Sequence, residues 1–177
     1  PRMLSGHLQG RILSFLSKSI QPKVILEIGT YTGYSALCMA EGLQNDGVLY
    51  TIDINKELAT FAQQYFNKSS YKNLIKMMVG NALEIIPKLN FNWDLVFIDA
   101  DKENYSNYFD SVIERLNKGG MIIADNVLWS GKVTRPTSEN DIETKALKTF
   151  NEKVNSDSRV SNVLMPVRDG MMIMIKK

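Results

Sequence analysis

Short apolar runs recur along the chain, each ending in Gly, Asp or Asn or within a residue of one: VILEIG (24–29), VLYTIDI (48–54), IKMMVG (75–80), DLVFIDA (94–100) and GMIIADN (120–126). Runs this short with little polar alternation predict strands buried on both faces. Between them apolar residues fall at helical spacing, as in Tyr105, Tyr108, Phe109, Val112, Ile113 and Leu116. The regular alternation of the two patterns predicts an α/β fold, a parallel sheet with helices on both faces. At the start, Leu4, Leu8, Ile12, Phe15 and Leu16 predict an amphipathic helix. The end of the chain breaks the alternation. RVSNVLMPV and GMMIMIKK are separated only by RDG, where Asp169-Gly170 is a hairpin signal and no crossover helix fits. The last strand is therefore expected to run antiparallel to its partner. Ser138 with Asp141 predicts a capping box for the helix before this hairpin, whose apolar side is Ile142, Leu147, Phe150 and Val154.

Composition narrows the class. A chain of 177 residues is long enough for one domain with a sizeable core and short for two, so residues 1–177 are read as a single domain. Hydrophobic content of 44% with 23% charged residues excludes the disordered and membrane-embedded classes, and no apolar run reaches the length of a bilayer span. The opening stretch is too broken for a signal peptide. Cys38 is the only cysteine, which excludes an internal disulfide and suits a reducing compartment; the expected location is the cytoplasm. The net charge of +2 is too small to argue for nucleic acid by itself. Pro1 is not an initiator methionine, so a preceding segment is expected to have been removed or left out.

In an open parallel sheet, ligands sit beyond the carboxyl ends of the strands, and the chemistry of this sequence gathers there. The first strand runs into EIGTYTGYS, where Gly29 and Gly33 allow the backbone to approach a ligand. Tyr31 stands where a Gly-x-Gly-x-x-Gly cradle needs its second glycine, and Glu27 would repel phosphate; both argue against a pyrophosphate and for an amine or cationic ligand. Asp53 lies 24 residues after Gly29, close to the separation at which an acid grips ribose hydroxyls, although a strand-ending Asp also starts turns. The amide of Ala82 is placed to meet an adenine edge. Asp99 and Asp125 close neighbouring strands, with Asn126 adding a neutral oxygen. Such an all-oxygen set suits a hard divalent cation, magnesium first and calcium or manganese next. Strand capping is the bland alternative for any one of these acids. Lys102 follows Asp99 by three residues at a helix start, where the dipole disfavours an ammonium, so it is a candidate general base. Trp129 is the candidate pocket wall, and His7 is expected at the surface.

With LEIGTYTGYSA, TIDINKE, FIDADKENY and IIADNVLWSGKV in place, the chain resembles the cation-dependent O-methyltransferases, the family of caffeoyl-coenzyme A and catechol O-methyltransferases and their bacterial relatives. The resemblance implies the Rossmann-like fold of class I S-adenosylmethionine-dependent methyltransferases: a seven-stranded sheet with five parallel strands and a C-terminal antiparallel hairpin. It implies S-adenosylmethionine contacts from Met3, Ser5, Glu27, Gly29, Ser35, Asp53, Ala82, Asp99 and Asp101. Metal ligation falls to Asp99, Asp125 and Asn126, and catalysis to Lys102 with Asp99. The implied acceptor is a phenolic or catechol-type hydroxyl of a small molecule, with hydroxylated uridine in tRNA as the alternative. No membrane is implied, and the common assembly in the family is a homodimer. Family members usually carry a further N-terminal segment that shapes the acceptor pocket.

Overall fold

The structure, a computed structural model, describes residues 6–177. Among these residues seven strands form one sheet: β1 (Val24–Ile28), β2 (Val48–Asp53), β3 (Ile75–Val79), β4 (Trp93–Ile98), β5 (Leu116–Asp125), β6 (Val160–Met165) and β7 (Met171–Lys176). Their order is β3-β2-β1-β4-β5-β7-β6. The first five are parallel, and β7 runs antiparallel to β5 on one side and β6 on the other, as the hairpin signal predicts. The helices are α1 (Gly6–Ile20), α2 (Tyr34–Ala40), α3 (Lys56–Lys68), α4 (Ala82–Ile85), α5 (Tyr105–Ile113) and α6 (Ile142–Ser156). None of them is long and apolar enough to cross a membrane.

The central strands are apolar throughout because each has a core on either side. Along β4, Val96 and Ile98 join the core beneath α5 and α6, while Leu95 and Phe97 join the one beneath α1, α2 and α3. Alternate side chains of a strand point to opposite faces, so two helical layers demand two apolar sets. Strand order reverses between β1 and β4, and the helices that follow them, α2 and α5, lie on opposite faces, which leaves a crevice beyond the strand ends. The two backbones meet closely at its floor. Gly29 has φ 99°, and a Cβ there would lie 1.9 Å from the Asp99 carbonyl oxygen, so this strand end accepts only glycine.

Three local expectations need correction. Leu8 and Phe15 are 62% and 73% exposed, and α1 buries Gln9, Gly10, Leu13, Ser14 and Ser17 instead. Small and polar residues win this face because α1 lies close against α2: Ser17 Oγ donates to the Met39 carbonyl at 2.6 Å, and Gly10 leaves room for Tyr34 and Cys38. Leu4 lies outside the described residues. Asp141, not Ser138, caps α6, its carboxylate accepting from the Thr144 amide at 3.1 Å, and Ile142 beside the cap is 59% exposed. The β6–β7 connection is also wider than an Asp-Gly turn, spanning 166–170 with Arg168 at φ 53° and Gly170 at φ 81°.

Glu41, just past α2, receives Arg11, Ser14 and Lys18 from α1 at 2.7–2.9 Å. The Arg11 hydrogen bond, ahead of the others, holds its carboxyl at about 2, below the ordinary 4.5. A folded pKa below the unfolded one contributes stability that is complete above about 4.5 and lost as pH falls toward about 2. Glu41→Gln is expected to lower the melting temperature by ~2–4 °C at neutral pH, from about 1 kcal/mol for a partly exposed cluster. The gap to wild type should close between those two pH values in circular-dichroism melts.

Candidate active site

A cleft of about 690 Å³ opens along the carboxyl ends of β1, β2, β4 and β5. Gly29, Asp53, Ala82, Asp99, Asp101, Lys102, Asp125, Asn126 and Trp129 all line it. Parallel register does this work: Ile28 pairs with Ile98, and Ile98 with Ala124, so the residues that follow end level with one another.

On the β1–β2 side, Asp53 is built into the turn. Its Oδ2 accepts from the Thr30 and Tyr31 amides at 3.0 and 2.8 Å, and its Oδ1 from the Asn55 amide at 2.8 Å. The carboxylate thus both closes the turn and faces the cleft, and the two readings of Asp53 are compatible. Asn81 caps α4 through the Leu83 amide, leaving Ala82 at the cleft wall. Asp101 accepts from the Tyr108 hydroxyl and the Asn104 amide. Glu27 and Ser35 take a different place. Among the described residues they do not line the cleft; Ser35 Oγ and Thr51 Oγ1 bond the two Glu27 oxygens at 2.5 Å behind it. Met3 and Ser5 lie outside the described residues. His7 is exposed.

Burial, before any other cause, pushes the Glu27 carboxyl up to about 8, with the Ser35 and Thr51 bonds opposing it. Geometry accommodates the neutral form. A protonated Glu27 would donate to Thr51 Oγ1, whose own proton would turn to Thr30 Oγ1, 2.5 Å away.

On the β4–β5 side an ammonium sits among oxygens. Lys102, in a short 3-10 turn before α5, is 6% exposed, and its Nζ lies 2.5 Å from Tyr105 Oη, 3.1 Å from Asn126 Oδ1 and 3.3 Å from Asp99 Oδ1. The Trp129 ring stands 5.7 Å from the same nitrogen. Tyr105, fully buried, donates to the Asp125 carbonyl at 2.9 Å and so presents only lone pairs to the lysine. Asp125 is 3% exposed; burial, and next the Asp99 charge, raise its carboxyl above the usual range. Gln9 Nε2 at 2.5 Å and the Asn126 amide at 2.8 Å each donate to one of its oxygens. Among the described residues no three His, Cys, Asp or Glu side chains gather. The available donors are the Asp99 and Asp125 carboxylates and the Asn126 amide, all oxygen, and Asp99 and Asn126 already meet at one ammonium. That chemistry fits a hard divalent ion.

The segment after β5 is held in unusual geometry. Asn126, Trp129 and Ser130 have φ of 57°, 47° and 54°, and Arg168 across from them 53°. Such non-glycine conformations cost of order 1–3 kcal/mol each and persist where surroundings over-determine them. Here the 166–170 turn supplies the restraint: Val127 and Leu128 amides donate to Gly170 and Asp169 carbonyls, and the Ser130 amide to Asp169 Oδ1 at 2.6 Å.

Nothing in the sequence singles out Gln9, Tyr105 or Tyr108 for the site. Tyr105 and Tyr108 have the spacing of core residues, which they also are, and nothing in the sequence marks a glutamine on a helix remote by 116 positions from its partner.

Residues 1–177 match the family described as O-methyltransferase. The caffeoyl-CoA O-methyltransferase of Stellaria longipes is 34% identical over 179 residues, covering 96% of this chain and 74% of that protein. Among solved structures, the O-methyltransferase TomG of Streptomyces achromogenes, involved in tomaymycin synthesis and held in complex with SAM, superposes with a TM-score of 0.94 at 30% identity, covering 100% of this chain and 83% of its own. The Bacillus cereus O-methyltransferase in complex with SAH gives 0.94 at 29%, covering 100% and 84%.

A carboxyl whose folded pKa is raised loses stability as pH climbs, because the unfolded chain releases its proton near 4.5 while the folded one keeps it to about 8. Glu27→Gln removes that titration. In ligand-free melts the variant is expected to gain on wild type by several degrees between those pH values; a constant offset would place the charge elsewhere.

Proposed function

The chain belongs to the O-methyltransferase family and is an S-adenosylmethionine-dependent enzyme of it, and on that premise we propose that its acceptor is a phenolic, catechol-type hydroxyl of a small molecule, methylated with the aid of a divalent cation. The observation that carries this reading is the convergence of Asp99, Asn126 and Lys102 in a cleft that Asp53 and Gly29 also line. The Stellaria relative is named for caffeoyl-CoA, whose caffeoyl group carries vicinal phenolic hydroxyls.

In this reading Asp53, Gly29, Ala82 and Asp101 contact the cofactor. Glu27 and Ser35 support the Gly29 turn from behind the wall, and Met3 and Ser5, which lie outside the described residues, are assigned to the cofactor by the family resemblance alone. Asp99, Asp125 and Asn126 would hold the cation, magnesium in preference, with calcium or manganese as substitutes. Bound there, it supplies positive charge that favours the ionised form of an acceptor hydroxyl, whose pKa is otherwise near ~10. Lys102 Nζ takes the proton, which requires that it enter the step as the neutral amine. Tyr105 fixes the position of that nitrogen by offering it a lone pair. The acceptor oxygen then forms its bond to the methyl carbon as the carbon–sulfur bond breaks, leaving the neutral thioether. Trp129 forms an aromatic wall and limits water. Alignment of this kind can supply ~7–11 kcal/mol of the barrier. A homodimer through the exposed Leu8 and Phe15 of α1 is the proposed assembly, and light scattering at the monomer mass would reject it.

The test is methyl transfer from labelled S-adenosylmethionine to catechols, hydroxycinnamoyl thioesters and bulk tRNA, with and without chelator. Transfer to a catechol, abolished by chelator and restored by magnesium, is expected. Asp99→Ala should lose the metal response, and Lys102→Met should lower kcat by about 10²–10⁴-fold without weakening metal binding. Full activity in chelator, or transfer confined to tRNA, would overturn the reading.

A further inference from the structure

Gln9 stands apart from the residues discussed for chemistry, yet it is 1% exposed and reaches the most deeply buried carboxylate of the cleft. Its Nε2 donates to Asp125 Oδ2 at 2.5 Å, a contact between α1 and the end of β5. An amide buried this fully needs a partner, and a buried carboxylate needs donors for its lone pairs. The other Asp125 oxygen is claimed by the Asn126 amide, a bond within the chain's own turn that leaves the carboxyl free to rotate about its side-chain axis. Gln9 supplies the second point, and two points fix the plane. It comes from an element outside the sheet and is held in turn by the close packing of α1 on α2 through Leu13, Ser14 and Ser17.

We infer that Gln9 is a positioning residue: its amide holds the Asp125 carboxylate in the orientation needed to ligate the divalent cation, and so makes α1 part of the metal site. The inference rests on the metal reading proposed above. Ligands whose outer partners are removed keep their identity but lose preset geometry, and the loss amounts to about 10–100-fold in metal affinity. The effect falls on metal binding rather than on methyl transfer once metal is bound, because the hydrogen bond of Gln9 goes to Asp125 and those of Lys102 to Asp99, Tyr105 and Asn126.

Two substitutions separate the amide from its packing. Gln9→Met keeps the volume without a donor, and Gln9→Ala removes both. Calorimetric titration of each folded protein with Mn²⁺ and Mg²⁺, in the presence of S-adenosylhomocysteine and without acceptor, is expected to show Kd raised about 10–100-fold in both variants. In turnover, the metal concentration for half-maximal rate should rise in parallel while kcat at saturating metal stays within about threefold. Wild-type metal affinity in Gln9→Met, whatever Gln9→Ala does, would overturn the assignment, as would a fall in kcat that saturating metal does not repair. Wild-type protein that binds neither ion would refute the metal reading itself, and the role of Gln9 with it.

Discussion

An ammonium taken out of water must find acceptors, and Lys102 finds three oxygens and two aromatic faces at the boundary of two strands. Each comes from a different part of the chain: Asp99 from the end of β4, Tyr105 from the first turn of α5, Asn126 from beyond β5. Bringing them within 3.3 Å of one nitrogen requires β4 and β5 to be paired in register and α5 to follow β4 after one short 3-10 turn. Tyr105 then ties the arrangement to the main chain by donating to the Asp125 carbonyl. Two of the three oxygen donors proposed for the cation, Asp99 and Asn126, are ones that already meet this ammonium.

The rest of the cleft answers to the close approach of β1 and β4. The absent side chain at Gly29 lets the Asp99 carbonyl lie against the β1 end, and Asp53 braces the turn that follows by taking two of its amides. Cofactor and metal halves of the site therefore share one wall. A displacement at 29 would move the backbone of Asp99 as well as that of Thr30. The loop after Asn126 is held differently, by strain against the 166–170 turn, and this is the part of the cleft where the chain departs most from ordinary backbone geometry.

Helix α1 contributes in a way its composition conceals. Leu8 and Phe15 face outward, and its buried face sets Leu13 among small and polar residues. Ser17 and Gln9 are satisfied by partners in α2 and β5, so the face tolerates its buried polar groups because each has a partner.

Much of this protein was legible in its amino-acid order. Apolar runs without alternation announced a sheet covered on both sides, the short RDG linker announced an antiparallel last strand, and Gly29, Asp53, Asp99, Asp125 and Asn126 announced themselves by standing where runs end. Those signals are local, because a strand buried on both faces and a turn that ends it are dictated by neighbouring residues. What the tertiary structure decided is what depends on distance across the fold. It put Glu27 and Ser35 behind the cleft wall, turned Leu8 and Phe15 to the surface, and joined Gln9 to the Asp125 carboxylate and Tyr105 to the Asp125 carbonyl. Hydrogen-bond partners 20 to 116 positions apart share no periodicity, so only the packing of helix on sheet could bring them together.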